Sequence, residues 1–305
     1  MYVDCPIGAT PPERHLSRKT FTLSKTTNIS QRFDFTQSGH GPALIFLHGW
    51  PFDTRSFRKL IPELARHNTC YNLNSVGIAH GGRGCEDTNM DFPDHAERVI
   101  AFANELGLDR FSLLAHDTGA TIARLVAADA PERVDKLVLL NTEIPFHRPP
   151  FIPQYQKLFA LPGSAGITKR LLKTKAYRQS ARGYGGSFFD KNLIEGEFKS
   201  LFVDDFLADK QKFRGRIRYL TQLDFERIDR LDEVHTKIIA PTLFIWGQQD
   251  TTFPADLGKT MADKMPSCVG FVEVENCCFL PQEEQPEVVL HHTLNFLNAG
   301  SGSAG

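Results

Sequence analysis

The chain has 305 residues, with 35 Lys and Arg against 36 Asp and Glu and a formal net charge of -1. That near-neutral balance excludes a field able to gather nucleic acid or anionic lipid. The length suits one large domain carrying an insertion, or two domains.

The opening residues, MYVDCPIGATPPERHLSRKT, contain no apolar leader core, and nowhere do roughly 18 apolar residues run unbroken. A cytoplasmic protein without a membrane span is the expectation. Cys5, Cys70, Cys85, Cys268, Cys277 and Cys278 form no CxxC pair, so reduced thiols are expected rather than a zinc site or a disulfide scaffold.

Residues 20–35 alternate as two short strands, and PALIFLHG (42–49) then runs continuously apolar into glycine, as a strand buried on both faces does. A helix near 54–66, a strand near 69–74, a helix near 93–106, the strand FSLLAH, a helix near 119–129 and the strand KLVLLN follow. Strands alternating with helices predict a mostly parallel, doubly wound α/β sheet. From Pro145 the pattern changes to polar helical sequence with aromatics and the basic run TKRLLKTKAYRQSAR, read as a solvated face. The alternation resumes with APTLFIWG (240–247), a helix, the strand VGFVEVE and a final helix to about 298, before the tail AGSGSAG. The expected domains are an α/β core over 1–144 and 233–305, with a flexible tail from about 299, and a helical cap over 145–232.

Three segments carry chemistry. In LLAHDTGATIA a buried strand meets Asp117 and then a small-residue turn into a helix, the construction that exposes one nucleophile at a sheet edge. The competing reading of Asp117 is an N-cap on that helix. In FLHGWPFDTRSF, His48 and Gly49 end a strand, and the Trp50 amide can join that of Thr118 to hold an oxyanion. In LFIWGQQDTTFP, Asp250 stands just past a late strand, where an acid can orient a histidine.

In this order and straddling a cap, the segments resemble the α/β-hydrolase superfamily over nearly the whole chain. The AHDTGA elbow and the HGWP loop narrow the resemblance to the branch of epoxide hydrolases and haloalkane or haloacetate dehalogenases. The resemblance implies Asp117 as nucleophile, Trp50 and Thr118 as oxyanion-hole donors and Asp250 as the orienting acid, with Glu143 in NTEIP as an alternative acid. It implies no metal or organic cofactor, and a small or medium hydrophobic substrate as partner; monomer and homodimer both stay open. Cap tyrosines would protonate a leaving alkoxide, with Tyr155 and Tyr219 placed best, and His48 and His116 complete the expected substrate-contacting set.

One position departs from the pattern. Where the family carries a histidine that activates water, ENCCFLPQEE has Cys278. A thiol between carboxylates is a poor base at neutral pH. His147, at the start of the cap, is the preferred substitute, ahead of His80 and His116. Asp117 and Asp250 sharing a proton would instead suit a non-hydrolytic lyase, isomerase or cyclase. A haloalkane dehalogenase ranks lower, because Thr118 cannot give a halide the indole N–H of a tryptophan. A catalytically lapsed small-ligand receptor is the reading from outside enzymology.

Overall fold

The computed structural model describes residues 17–22, 32–75, 91–149 and 151–299. Cys5, His80, Cys85 and the tail from residue 300 lie outside the described residues.

Among the described residues eight strands form one sheet: β1 (Ser17–Thr22), β2 (Arg32–Ser38), β3 (Ala43–Leu47), β4 (Thr69–Leu73), β5 (Phe111–His116), β6 (Val134–Leu140), β7 (Thr242–Gly247) and β8 (Cys268–Val274). Their spatial order is β1-β2-β4-β3-β5-β6-β7-β8. The first two pairings are antiparallel and the rest parallel.

The apolar runs work on both faces because side chains alternate along a strand. Ile45 and Leu47 pack into the core on one side of the sheet with Leu113, Ala115, Phe244 and Trp246. Leu44 and Phe46 pack on the other with Leu114, Leu243 and Ile245. Fully burying a side chain such as Phe46 contributes about 2–3 kcal/mol.

Helices cover both layers. The helix expected over 54–66 is broken into a 3-10 turn (Thr54–Phe57) and the single turn α1 (Ile61–Leu64). Pro62 has no N–H and would collide with the carbonyl four residues back in a continuous helix. After it come α2 (Phe92–Glu105) and α3 (Thr118–Asp129), which pack together. Between β6 and β7 the chain leaves the sheet through short helices: α4 (Phe151–Phe159), α5 (Ser164–Leu172), α6 (Lys175–Arg178), α7 (Asp205–Ala208), α8 (Lys210–Thr221), α9 (Phe225–Asp229) and α10 (Leu231–His235). The remaining helices are α11 (Ala255–Lys264), α12 (Pro281–Glu284) and α13 (Pro286–Asn298). No helix among the described residues is long and apolar enough to cross a membrane.

Candidate active site

Asp117 stands between β5 and α3 with φ 53° and ψ -131°, a left-handed conformation that a non-glycine residue adopts only under constraint. The constraint is visible: its N–H is held by the carbonyl of Asn141 at 2.9 Å, and its carbonyl accepts the Thr142 hydroxyl at 3.0 Å. Gly119 makes the bend feasible, because a Cβ there would lie 2.3 Å from the Leu47 carbonyl oxygen. The Asp117 carboxylate does not cap the helix. Its Oδ2 accepts instead from the Trp50 amide across the sheet edge at 2.7 Å. The Thr118 hydroxyl accepts from the same Trp50 N–H at 3.1 Å. Burial pushes the Asp117 carboxyl well above the usual carboxylate range, the charge of Glu143 adds to this, and the Thr118 and Trp50 amides oppose it.

Glu143, just past β6, is the acid that bears most on Asp117; Asp250 comes after it. Glu143 Oε2 accepts the hydroxyls of Thr121 at 2.7 Å and Thr142 at 2.9 Å. Behind them Arg124, fully buried, donates to both hydroxyls and to the Glu143 carbonyl. Asp250 is already satisfied without a histidine. Its Oδ2 accepts from Asn141 Nδ2 and its Oδ1 from the Thr252 amide, both at 2.7 Å. Burial raises it to about 7 against those bonds. Asp250 acts on Asp117 through its charge but does not line the cavity above it, whereas Glu143 does.

Cys278 is not poised as a base. Its Sγ donates to the Gln249 carbonyl at 3.2 Å and its amide to Glu284 Oε2 at 2.8 Å. Burial, then Glu284 and Asp250, push the thiol up to about 12. The next residue, Phe279, supplies this loop's contribution to the cavity wall.

The cavity between sheet edge and cap holds about 440 Å³ and is mainly apolar. Trp50, Thr118, His147 and Tyr155 line it with Asp117 and Glu143. His147 Nε2 lies 2.8 Å from the Thr252 carbonyl, and the Tyr155 hydroxyl donates to the Arg182 carbonyl.

The expected substrate contacts His48, His116 and Tyr219 lie behind this wall. His48 accepts the Ser75 amide at 3.0 Å and is lowered to about 4 by burial. His116 Nε2 pairs with the Phe279 carbonyl at 2.9 Å, its ring packed against Phe52 and Phe279. It falls in strand register with Leu114, which faces away from α3. Tyr219 packs on Phe92 and His95. The tyrosines that do line the cavity with Tyr155 are Tyr177 and Tyr184, joined by Arg216. Nothing in the cap's polar, aromatic-rich sequence separates these from their neighbours, because cap helices of 4 to 12 residues show too few turns to establish which face turns inward.

A family model described as alpha/beta hydrolase fold matches residues 42–286. The chain belongs to this family. As an α/β-hydrolase it is 24% identical over 281 residues to the uncharacterized hydrolase YugF of Bacillus subtilis, covering 88% of this chain and 94% of that one. It is 23% identical over 295 residues to the bifunctional epoxide hydrolase 2 of Rattus norvegicus, covering 85% and 52%. Among solved structures, the epoxide hydrolase CorEH without ligand superposes on this α/β-hydrolase with a TM-score of 0.75 at 19% identity, covering 93% and 99%. At such identities the structural likeness carries the fold, and the chemistry rests on the cavity.

Proposed function

We propose that this α/β-hydrolase is an epoxide-hydrolase-like enzyme in which Asp117 attacks a ring carbon of a small or medium hydrophobic epoxide. The observation that carries the reading is the Asp117 carboxylate, turned away from helix capping, with Oδ2 held by the Trp50 amide at 2.7 Å inside an apolar cavity. That hold leaves Oδ1 for the electrophile. Oδ1 forms a bond to the ring carbon as the carbon–oxygen bond of the epoxide breaks, and a wall phenol gives its proton to the alkoxide. Burial keeps Tyr184 protonated, at about 12, and therefore able to donate, whereas the Tyr155 hydroxyl is spent on the Arg182 carbonyl. Water then adds to the ester carbonyl, the Trp50 and Thr118 amides hold the oxyanion, and the diol leaves as the carboxylate re-forms.

The second half needs a base, and Cys278, held up at about 12, does not supply it. Glu143 is the best-placed acceptor for the water proton, given its effect on Asp117 and its position in the same cavity. His147 supports a second reading: Nε2–H donating to the Thr252 carbonyl leaves Nδ1 as the basic nitrogen on the wall. Dehalogenation ranks lower because both tryptophans spend their indole N–H on backbone carbonyls, Trp50 on Arg216 and Trp246 on Phe253, each at 2.8 Å.

Incubation with a panel of terminal epoxides, followed by intact-mass measurement, tests the scheme. The protein is expected to form diol, Asp117→Asn to form neither diol nor adduct, and Glu143→Gln to accumulate an ester because its release is slowed about 10²–10⁴-fold. Accumulation of the ester by His147→Gln in place of Glu143→Gln would transfer the base role. Cys278→His should speed release from the Glu143 variant. Absence of both diol and adduct across the panel would leave the receptor reading.

A further inference from the structure

We propose that Arg216 and Tyr184 form an anion subsite in the cavity wall, so that the substrate carries a carboxylate at a distance from its reacting carbon. The inference takes the cavity to be the substrate site, as the proposed function does.

Arg216 sits on α8 with 1% of its surface exposed, and none of Nε, Nη1 and Nη2 makes a hydrogen bond among the described residues. A guanidinium offers five N–H donors, and leaving all of them unused in a dry interior is costly. Its nearest acid is Asp53, whose Oδ2 lies 3.5 Å from Nη2. Asp53 is already taken, since Arg55 holds Oδ1 through Nε at 2.8 Å and Oδ2 through Nη2 at 2.6 Å. Asp205, the other acid of this cluster, is shared between Arg55 at 2.6 Å and Lys212 at 2.7 Å. Among the described residues two carboxylates thus face three cations, and the surplus positive charge belongs to the residue on the cavity wall. His48 does not add to it, because burial holds that ring neutral.

The guanidinium has a fixed place. Its central carbon lies 4.8 Å from the centre of the Phe206 ring, and the Arg216 carbonyl accepts the Trp50 indole N–H at 2.8 Å. Trp50 is also the residue whose amide holds Asp117 Oδ2, so one side chain spans from the nucleophile to the base of the arginine. Tyr184, half-buried on the same wall and electrostatically paired with Arg216, adds a phenol donor. One guanidinium fork and one O–H match a carboxylate, whereas a phosphate dianion would call on more donors than this apolar cavity presents.

Binding of hexanoate, with hexanamide as its neutral counterpart, tests the subsite by titration calorimetry without any reaction. The protein is expected to bind hexanoate at least about tenfold more tightly than hexanamide, a preference worth about 1.4 kcal/mol. Arg216→Met should erase the preference and Arg216→Lys should keep part of it. Tyr184→Phe should weaken hexanoate several-fold while leaving hexanamide unchanged, which covers the case in which the arginine variants do not fold. Equal affinity of the unmodified protein for the two ligands, or a preference that survives Arg216→Met, overturns the proposal. Epoxide turnover is not read in this experiment: hexanoate selectivity without any Asp117 adduct would retain the subsite and refute the epoxide chemistry, and an adduct without selectivity would do the reverse.

Discussion

A methyl group placed on Gly49 would stand 2.5 Å from Asp117 Oδ2 and 2.4 Å from its Cβ. No rotamer change relieves both contacts, because the Asp117 backbone is held by Asn141 and Thr142. Gly49→Ala is therefore expected to displace Oδ2 from the Trp50 amide and slow release of the Asp117 ester about 10²–10³-fold, the loss usual for one oxyanion-hole donor. Intact-mass time courses with a terminal epoxide check it; an unchanged rate would mean that the amide cradle does not act on the ester. Asp117 was legible in the sequence because the elbow demands a local signature, a buried strand and small residues after the turn. The roles of Cys278 and Tyr184 were not, since one depends on the Gln249 carbonyl and the other on a cap fold that positions its phenol.

At the scale of elements, the cap is tied to the sheet edge by several polar contacts, among them the Arg55–Asp205 and Arg58–Glu197 ion pairs, the Phe279 amide bond to the Ser187 carbonyl and the Trp50 indole bond to the Arg216 carbonyl at 2.8 Å. Trp50→Phe removes that donor while keeping an aromatic ring and the amide that holds Asp117. The expected result is a loss of about 1 kcal/mol in urea unfolding, the ordinary net value of one hydrogen bond. A KM increase with kcat nearly intact should accompany it, from a looser wall near Arg216. Equal stability together with an unaltered KM would show that the indole bond does not hold the cap. The break in the helix expected over 54–66 also belongs to this scale: Pro62 was visible in the sequence, but only the observed chain shows the 3-10 turn that takes up the residues before it. The strands β3, β5 and β7 were readable as buried elements, because continuous apolar runs suit a strand covered on both faces.

Across the whole molecule, buried ionisable groups determine how stability follows pH. Burial lowers His48 to about 4 and His95, His116 and His235 to about 3. Unfolding returns each to about 6.5. Between about pH 4 and 6.5 the unfolded chain therefore binds more protons on these residues, and stability rises with pH. Asp250, at about 7, and Asp117, also raised, act in the opposite sense. Their unfolded forms release protons from about pH 4 while the folded forms keep them, so each lowers stability as pH rises from there, Asp250 until about pH 7. Smaller upward shifts at Asp91 and Glu284 join the acids, and the downward shift of Asp53 to about 2 joins the histidines below pH 4. The histidines prevail up to about pH 6.5, after which only the loss from the acids remains. The urea midpoint is expected to climb from pH 4 to a maximum near pH 6–6.5, by a few kcal/mol in unfolding free energy, and then to decline. A profile that falls steadily from pH 4 would contradict the burial of these histidines.

The sequence by itself determined the α/β alternation, the interruption by helices and the aspartate at the elbow. Each of these is written in neighbouring residues, through strand and helix periodicity or turn chemistry. Only the tertiary structure decided that Glu143 rather than Asp250 lines the cavity with Asp117, that Cys278 is spent on a backbone carbonyl, and that Arg216 reaches the cavity with Asp53, an acid already shared with Arg55, as its nearest carboxylate. Those relations join residues up to 166 positions apart, as from Trp50 to Arg216. Charge, burial and hydrogen bonding between such distant residues depend on which side chains share a volume, and no local pattern encodes that.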